Sequence, residues 1–125
     1  MDTLSSSLDT EANNNTVFVF TSDFGRQLHS NGTAGTDHGS GSYMILIGPS
    51  VNGGVYGDMF PDSEITRFDT QGADIVGLTS FERVLAEVCD WVEPNSGEKV
   101  FPTTAATFPD PPILETGVDL STLFA

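Results

Sequence analysis

Basic residues, cysteine and long apolar runs are what this sequence has least of. Four Lys and Arg face 18 Asp and Glu, a formal net charge of −14 over 125 residues. That balance excludes nucleic acid and anionic membrane surfaces as partners, because both are bound through clustered basic groups. The acids are scattered along the chain, the ordinary pattern of a solvated surface, with calcium dependence or adaptation to high salt as the alternative. Cys89 has no second cysteine to pair with, which excludes an internal disulfide and leaves it a small core or half-buried residue. No stretch of eighteen apolar residues is present to span a membrane. Residues 1–15 lack a basic start, an apolar centre and a twin arginine, so the chain read literally carries no export signal. Nor do Asp58, Asp62 and Glu64 follow calcium-loop spacing; they read as solvated loop acids, with weak cation binding the alternative.

What is present is concentrated in residues 16–57. Val17, Phe18, Val19 and Phe20 are apolar at every position, which predicts a strand covered on both faces. The run ends at Thr21-Ser22-Asp23, so polar groups fall at the carboxyl end of a strand, where open α/β sheets keep their ligand sites. Residues 22–42 read as a glycine-rich loop, too long for a plain connector and therefore the place to look for function. Asp23, His29, Asp37 and His38 lie close together in it, and both histidines of the chain are among them. Gly32, Gly35, Gly39 and Gly41 surround the second pair, and glycine permits the tight bend that would hold Asp37 and His38 at a metal or an acid/base centre. The bland alternative is an exposed loop of ordinary composition, in which His29 beside Gln27 and Ser30 is simply solvated.

The rest of the chain supplies a small α/β domain. Leu4 and Leu8 give residues 1–11 a weak helical pattern, and the three asparagines at 13, 14 and 15 make a turn. Residues 43–48 (YMILIG) predict a second buried strand, and Asn52-Gly53 between apolar residues predicts a hairpin ending near Tyr56-Gly57. Residues 58–73 read as surface, with Ile65 and Phe68 as anchors. A helix is predicted over residues 80–92. Thr79 and Glu82 form a capping box at its start, Phe81, Val84, Leu85, Val88 and Val92 make one apolar stripe, and Pro94 ends it. Trp91 reads as a packing anchor at the edge of that stripe. Prolines at 102, 109, 111 and 112 mark residues 103–125 as an extended tail, ordered where Phe108, Ile113, Leu114, Leu120, Leu123 or Phe124 find a groove. The expected organisation is one α/β domain over residues 1–102 followed by that tail. The tail's groove is sought on the same domain, on the rest of a larger fold, or on another copy.

Two blocks, TVFVFTSDFGRQLHSNG and GTDHGSGSYMILIGPSVNGGVYGDMFP, resemble the C-terminal part of a bacterial family known as domain of unknown function 1501. Ser-Asp-Phe-Gly-Arg followed at this spacing by Gly-Thr-Asp-His-Gly is the specific signal. The resemblance runs on through Leu78-Thr79-Ser80, the helix near Trp91 and Val100-Phe101-Pro102. It implies a partial alkaline-phosphatase-like or sulfatase-like sheet, and a periplasmic or extracellular place reached by the twin-arginine route. It also implies a divalent metal, of unknown identity, held by Asp23 and His38, beside which Asp37 is a further candidate ligand. Phe24 stands where that superfamily commonly has a first metal-binding histidine, and nothing before residue 16 corresponds to its nucleophile strand.

Two classes of function follow. One is a metal-dependent hydrolase of phosphate or sulfate esters, with Asp23 and His38 on the metal and Asp37 orienting the imidazole or adding an oxygen. The other is a structural or interaction module without catalysis of its own, assembling with the upstream part of a longer chain or as a homo-oligomer. Phe24 and the missing nucleophile strand tip the expectation toward the second.

Overall fold

A computed structural model describes residues 2–57, 62–67, 70, 72–75, 79–102 and 118–125. Asp58, Phe68, Leu78, Phe108, Ile113 and Leu114, assigned roles or resemblance above, lie outside the described residues. The fold is mixed α/β. Its elements in order are α1 (Asp2–Ser6), α2 (Thr10–Asn14), β1 (Phe18–Phe20), β2 (Gly25–Ser30), β3 (Thr36–Gly39), β4 (Ile45–Ile47), α3 (Asp62–Ile65), α4 (Phe81–Val92) and α5 (Gly97–Val100). The N-terminal pattern resolves into two short helices rather than one. Asp9 caps the second by accepting from the Ala12 amide at 2.8 Å.

Two antiparallel two-stranded sheets carry the β structure: β1 with β4, and β2 with β3. In the first, Phe18 faces Ile47, Val19 faces Leu46 and Phe20 faces Ile45. Alternation puts Phe18, Phe20, Ile45 and Ile47 on one side of this sheet. Phe20 is 43% exposed, Ile45 57% and Ile47 38%. The expectation of strands covered on both faces is therefore corrected: the apolar run forms a strand, but one side of it meets solvent. In so short a chain little is available to lay across a second face.

The stretch read as a glycine-rich loop contains the second sheet. Gly25 pairs with Gly39, Arg26 with His38 and Ser30 with Thr36, with an irregularity between Arg26 and Ser30 that leaves extra residues on β2. The connecting turn is closed by the Asn31 amide on the Gly35 carbonyl at 2.9 Å and has Gly32 and Ala34 at positive φ. Gly25 is buried, and a Cβ there would overlap the Gly41 carbonyl, so only glycine lets the entry to β2 lie this close. Residues 73–75 run beside the hairpin. The Leu28 amide donates to the Ala73 carbonyl at 3.3 Å, and both carboxylate oxygens of Asp74 accept from the Ser40 amide at 2.8 Å.

α4 spans the predicted residues with a different start. Its N-cap is Ser80, whose hydroxyl bonds the Glu82 carboxylate instead of a backbone amide, so the Thr79–Glu82 capping box does not form. Glu93 turns extended ahead of Pro94 and ends the helix, as proline imposes on its predecessor. α5 folds back against it. The Gly97 amide donates to Asp90 Oδ1 at 2.8 Å and Ser96 Oγ donates to the Cys89 carbonyl at 2.8 Å. No described helix is long and apolar enough to cross a membrane.

Residues 118–125 pack back on the body. Val51 forms an antiparallel bridge with Phe124, the Asn52 amide donates to the Leu123 carbonyl at 3.0 Å, and the Ala125 amide donates to the Ser50 carbonyl at 2.9 Å. Here the Asn52-Gly53 expectation is corrected: Val51 pairs not with residues just beyond the turn but with a partner 73 positions away. Phe124 stacks on Trp91 of α4, with ring centroids 5.5 Å apart. The buried hydrophobic residues among those described are Ala73, Leu120 and Leu123, each 4% exposed or less. Asp119, at the start of this segment, accepts from the hydroxyl and the amide of Ser121 at 2.6 and 2.9 Å. The Ser121 hydroxyl and then its amide hold the Asp119 carboxyl below the usual carboxylate range.

Leu123→Ala should cost about 2–5 kcal/mol in urea unfolding, whereas Val55→Ala, at a site 76% exposed, should stay within about 0.5 kcal/mol. Equal effects would mean that the segment is not the core. Because the folded Asp119 carboxyl is depressed, its contribution is present above the unfolded aspartate value, about pH 4, and is lost as pH falls through the folded value. The urea midpoint of wild type should therefore exceed that of Asp119→Asn by a constant margin between pH 5 and 7 and converge with it below about pH 4. A margin independent of pH would remove the carboxylate from the account.

Candidate functional site

The hairpin of β2 and β3 gathers most of the chemically able side chains. Phe24 leads into β2, and its ring lies face to face with the His38 imidazole, centroids 3.6 Å apart and planes 16° from parallel. The Arg26 guanidinium carbon sits 5.1 Å from the same ring's centre, and Arg26 Nη1 donates to the Thr36 carbonyl at 2.9 Å. Stacking and the cation over the ring orient these three side chains together. An aromatic hydrocarbon, not a second donor, therefore borders the imidazole.

Asp37 precedes His38 in β3, so the two project to opposite faces. Asp37 Oδ1 accepts from Asn31 Nδ2 at 3.0 Å. On that side Gln27, His29, Ser30, Asn31, Asp37 and Gly72 line an open polar cleft of about 360 Å³. His29 Nδ1 donates to the Ser30 carbonyl at 2.7 Å. Asp23 is exposed in the bend between β1 and β2. Beside it the Ser22 hydroxyl donates to the Phe24 carbonyl at 2.9 Å and pairs with the Ser42 hydroxyl at 2.8 Å, tying the two ends of the hairpin region.

Of the three expected metal ligands, the structure sets Asp37 and His38 back to back on one strand and Asp23 in the preceding bend. Among the described residues no three His, Cys, Asp or Glu side chains are grouped so as to hold a metal ion. Phe24 covers one face of the His38 imidazole and leaves its ring nitrogens open in the plane, while Asn31 occupies one oxygen of the Asp37 carboxylate. What the arrangement offers chemically is hydrogen bonding, from one imidazole, one carboxylate and the amides of Gln27 and Asn31 around the cleft.

The family model described as protein of unknown function (DUF1501) matches residues 1–65, just over half of the chain. The chain belongs to that family. The match takes in both expected motifs and all of β1 through β4, and it ends short of α4 and of the stretch to Pro102 over which likeness was expected. No curated protein matches this DUF1501 member, and no solved structure does.

Sequence reasoning missed Gln27, Asn31 and Gly72 at the cleft, and Asp74 as the brace of the hairpin. The available signal was Asn31-Gly32, a turn dipeptide between two strand-length segments. Asp74 has no local signal, because it acts 34 positions away on Ser40.

Phe24→Leu should leave the hairpin formed but cost about 0.5–1.5 kcal/mol of stability from the lost stacking. In the same variant the His38 ring protons should lose the upfield shift imposed by the phenyl ring, read by proton NMR. Unchanged His38 resonances would mean that the two rings do not stack in solution.

Proposed function

We propose that this chain is a structural or interaction module without catalysis of its own, derived from an alkaline-phosphatase-like or sulfatase-like fold. The observation that carries it is the apolar side of the β1–β4 sheet, where Phe20, Ile45 and Ile47 stay exposed in a chain with few buried hydrophobic residues among those described. Leaving such residues side by side in water forgoes about 25 cal/mol for each Å² that a partner would cover. Contiguous apolar surface of this kind marks an association site. The upstream part of a longer chain, or a second copy, is the occupant that the family resemblance favours, in the periplasm or outside the cell. Among the described residues Asp23, Asp37 and His38 form no group of three that could hold a metal ion. Phosphate or sulfate ester hydrolysis would need a nucleophile and further ligands from another segment.

Elemental analysis of purified wild type beside Asp23→Ala and His38→Ala, with the mass in solution, tests this reading. The expected result is no stoichiometric metal, and an assembly that Ile45→Lys disrupts while stability changes by no more than about 0.5 kcal/mol. One equivalent of divalent metal, lost in both alanine variants, would assign Asp23 and His38 to the metal and overturn this reading in favour of the metal-dependent one.

A further inference from the structure

The residues that receive segment 118–125 form a groove between positions 50–56 and Trp91 of α4. Its polar contacts reach the segment through the backbone: Asn52 N to the Leu123 carbonyl at 3.0 Å, and Asn52 Nδ2 and Tyr56 Oη to the Thr122 carbonyl at 2.7 and 3.1 Å. The Ala125 amide returns a bond to the Ser50 carbonyl at 2.9 Å. Phe124 lies on Trp91, and Leu120 and Leu123 are buried. None of these contacts requires that the segment and the groove belong to the same molecule.

We propose that this groove takes the same segment from a second copy of the chain, so that two molecules pair by exchanging residues 118–125. Recognition is antiparallel strand addition, with backbone bonds giving register and Leu120, Leu123 and Phe124 giving selectivity. Fifteen positions, 103–117, separate the segment from the last described residue of the body. At most about 3.5 Å per residue, they reach about 50 Å, enough to serve a neighbour's groove as well as their own. Leu120 and Leu123 make the undocked segment costly, so a segment that leaves one groove seeks another, and protein concentration sets the share of exchange. Asp119 is the one charged side chain of the exchanged segment and is paired with Ser121 inside it, so most of the repulsion between two chains of net charge −14 comes from the rest of each chain. It acts through the solvent, and salt screens it. This exchange is independent of the apolar sheet face, and either can fail without the other.

The test uses two full-length chains, both Cys89→Ser, one with Ser50→Cys and the other with Ala125→Cys. These two positions flank the bridge and are joined by the Ala125 amide on the Ser50 carbonyl at 2.9 Å. Directly opposed antiparallel residues have Cα atoms about 5.5 Å apart, within the span that a disulfide tolerates. Co-refolded at high concentration and oxidised, they should give a covalent heterodimer in several-fold excess over a control pair with Ser30→Cys in place of Ser50→Cys. The yield should rise with refolding concentration and with salt. No excess over the control overturns the proposal. Wild-type chain read by light scattering guards against a folding defect in the variants. A dimer fraction should persist on dilution and disappear only after unfolding and refolding at low concentration, whereas a monomer under all conditions overturns the exchange.

Discussion

The structure depends on closing one long loop. Val51 and Trp91 are held by Phe124 and its neighbours, and two of the three buried hydrophobic residues among those described, Leu120 and Leu123, come from the same eight-residue segment. Burying a leucine is worth roughly 1.5–3 kcal/mol, so this pair, small beside the gross cost of chain entropy, is comparable to the net stability that a small domain retains. The hydrogen bonds of Asn52 and Tyr56 add direction more than energy, fixing which way the segment runs and which side chains turn inward. Helices α1 and α2, the β1–β4 sheet and the α4–α5 pair each have local bonds of their own, and among the described residues Phe124, stacked on Trp91 and bridged to Val51, links α4 to residues 50–56.

The hairpin is organised by a different constraint, close backbone approach. Gly25 sits against the Gly41 carbonyl and Asp74 clamps the Ser40 amide, so β2, β3 and residues 73–75 are drawn together. Of the glycines that looked like the flexible surround of a catalytic histidine, Gly39 and Gly41 let Asp74, Arg26 and Ile75 come close, while Gly32 serves the turn at positive φ and Gly35 has open space around it. His38 is then placed by its strand position beside Arg26 and Phe24, and Asp37 is turned away from it by the same pleat. A residue pair that is adjacent in sequence is thereby separated in chemistry.

How much of this was legible follows from the range over which each signal acts. α4 was readable because its stripe and Pro94 are local, although its cap moved one residue when Ser80 paired with Glu82. The strands β1 and β4 were readable as apolar runs, but their exposure was not, since that depends on how much chain remains to cover them. β2 and β3 were hidden because Arg26, Gln27, His29, Asp37 and His38 leave no apolar alternation to count. Asn52-Gly53 misled for the complementary reason: a good turn signal cannot say whether the next residues or distant ones will fill the pairing site. Asp37 and His38 were identified as a pair by spacing, and only the pleat of β3 shows that they point apart.

The bridge between Val51 and Phe124 also bears on the order of events during synthesis. A polypeptide is made from its amino end, so β1 to β4, α4 and α5 all exist before the residues that complete their packing. Trp91 waits for Phe124, and the leucine-lined interior cannot close while the ribosome still holds the segment. Contacts of such long sequence separation slow folding, since the entropy of the loop is lost before the contact returns anything. The nascent chain consequently passes through a period in which its sheets and helices can form but its interior is open, and a chaperone or an assembly partner has that interval in which to engage it.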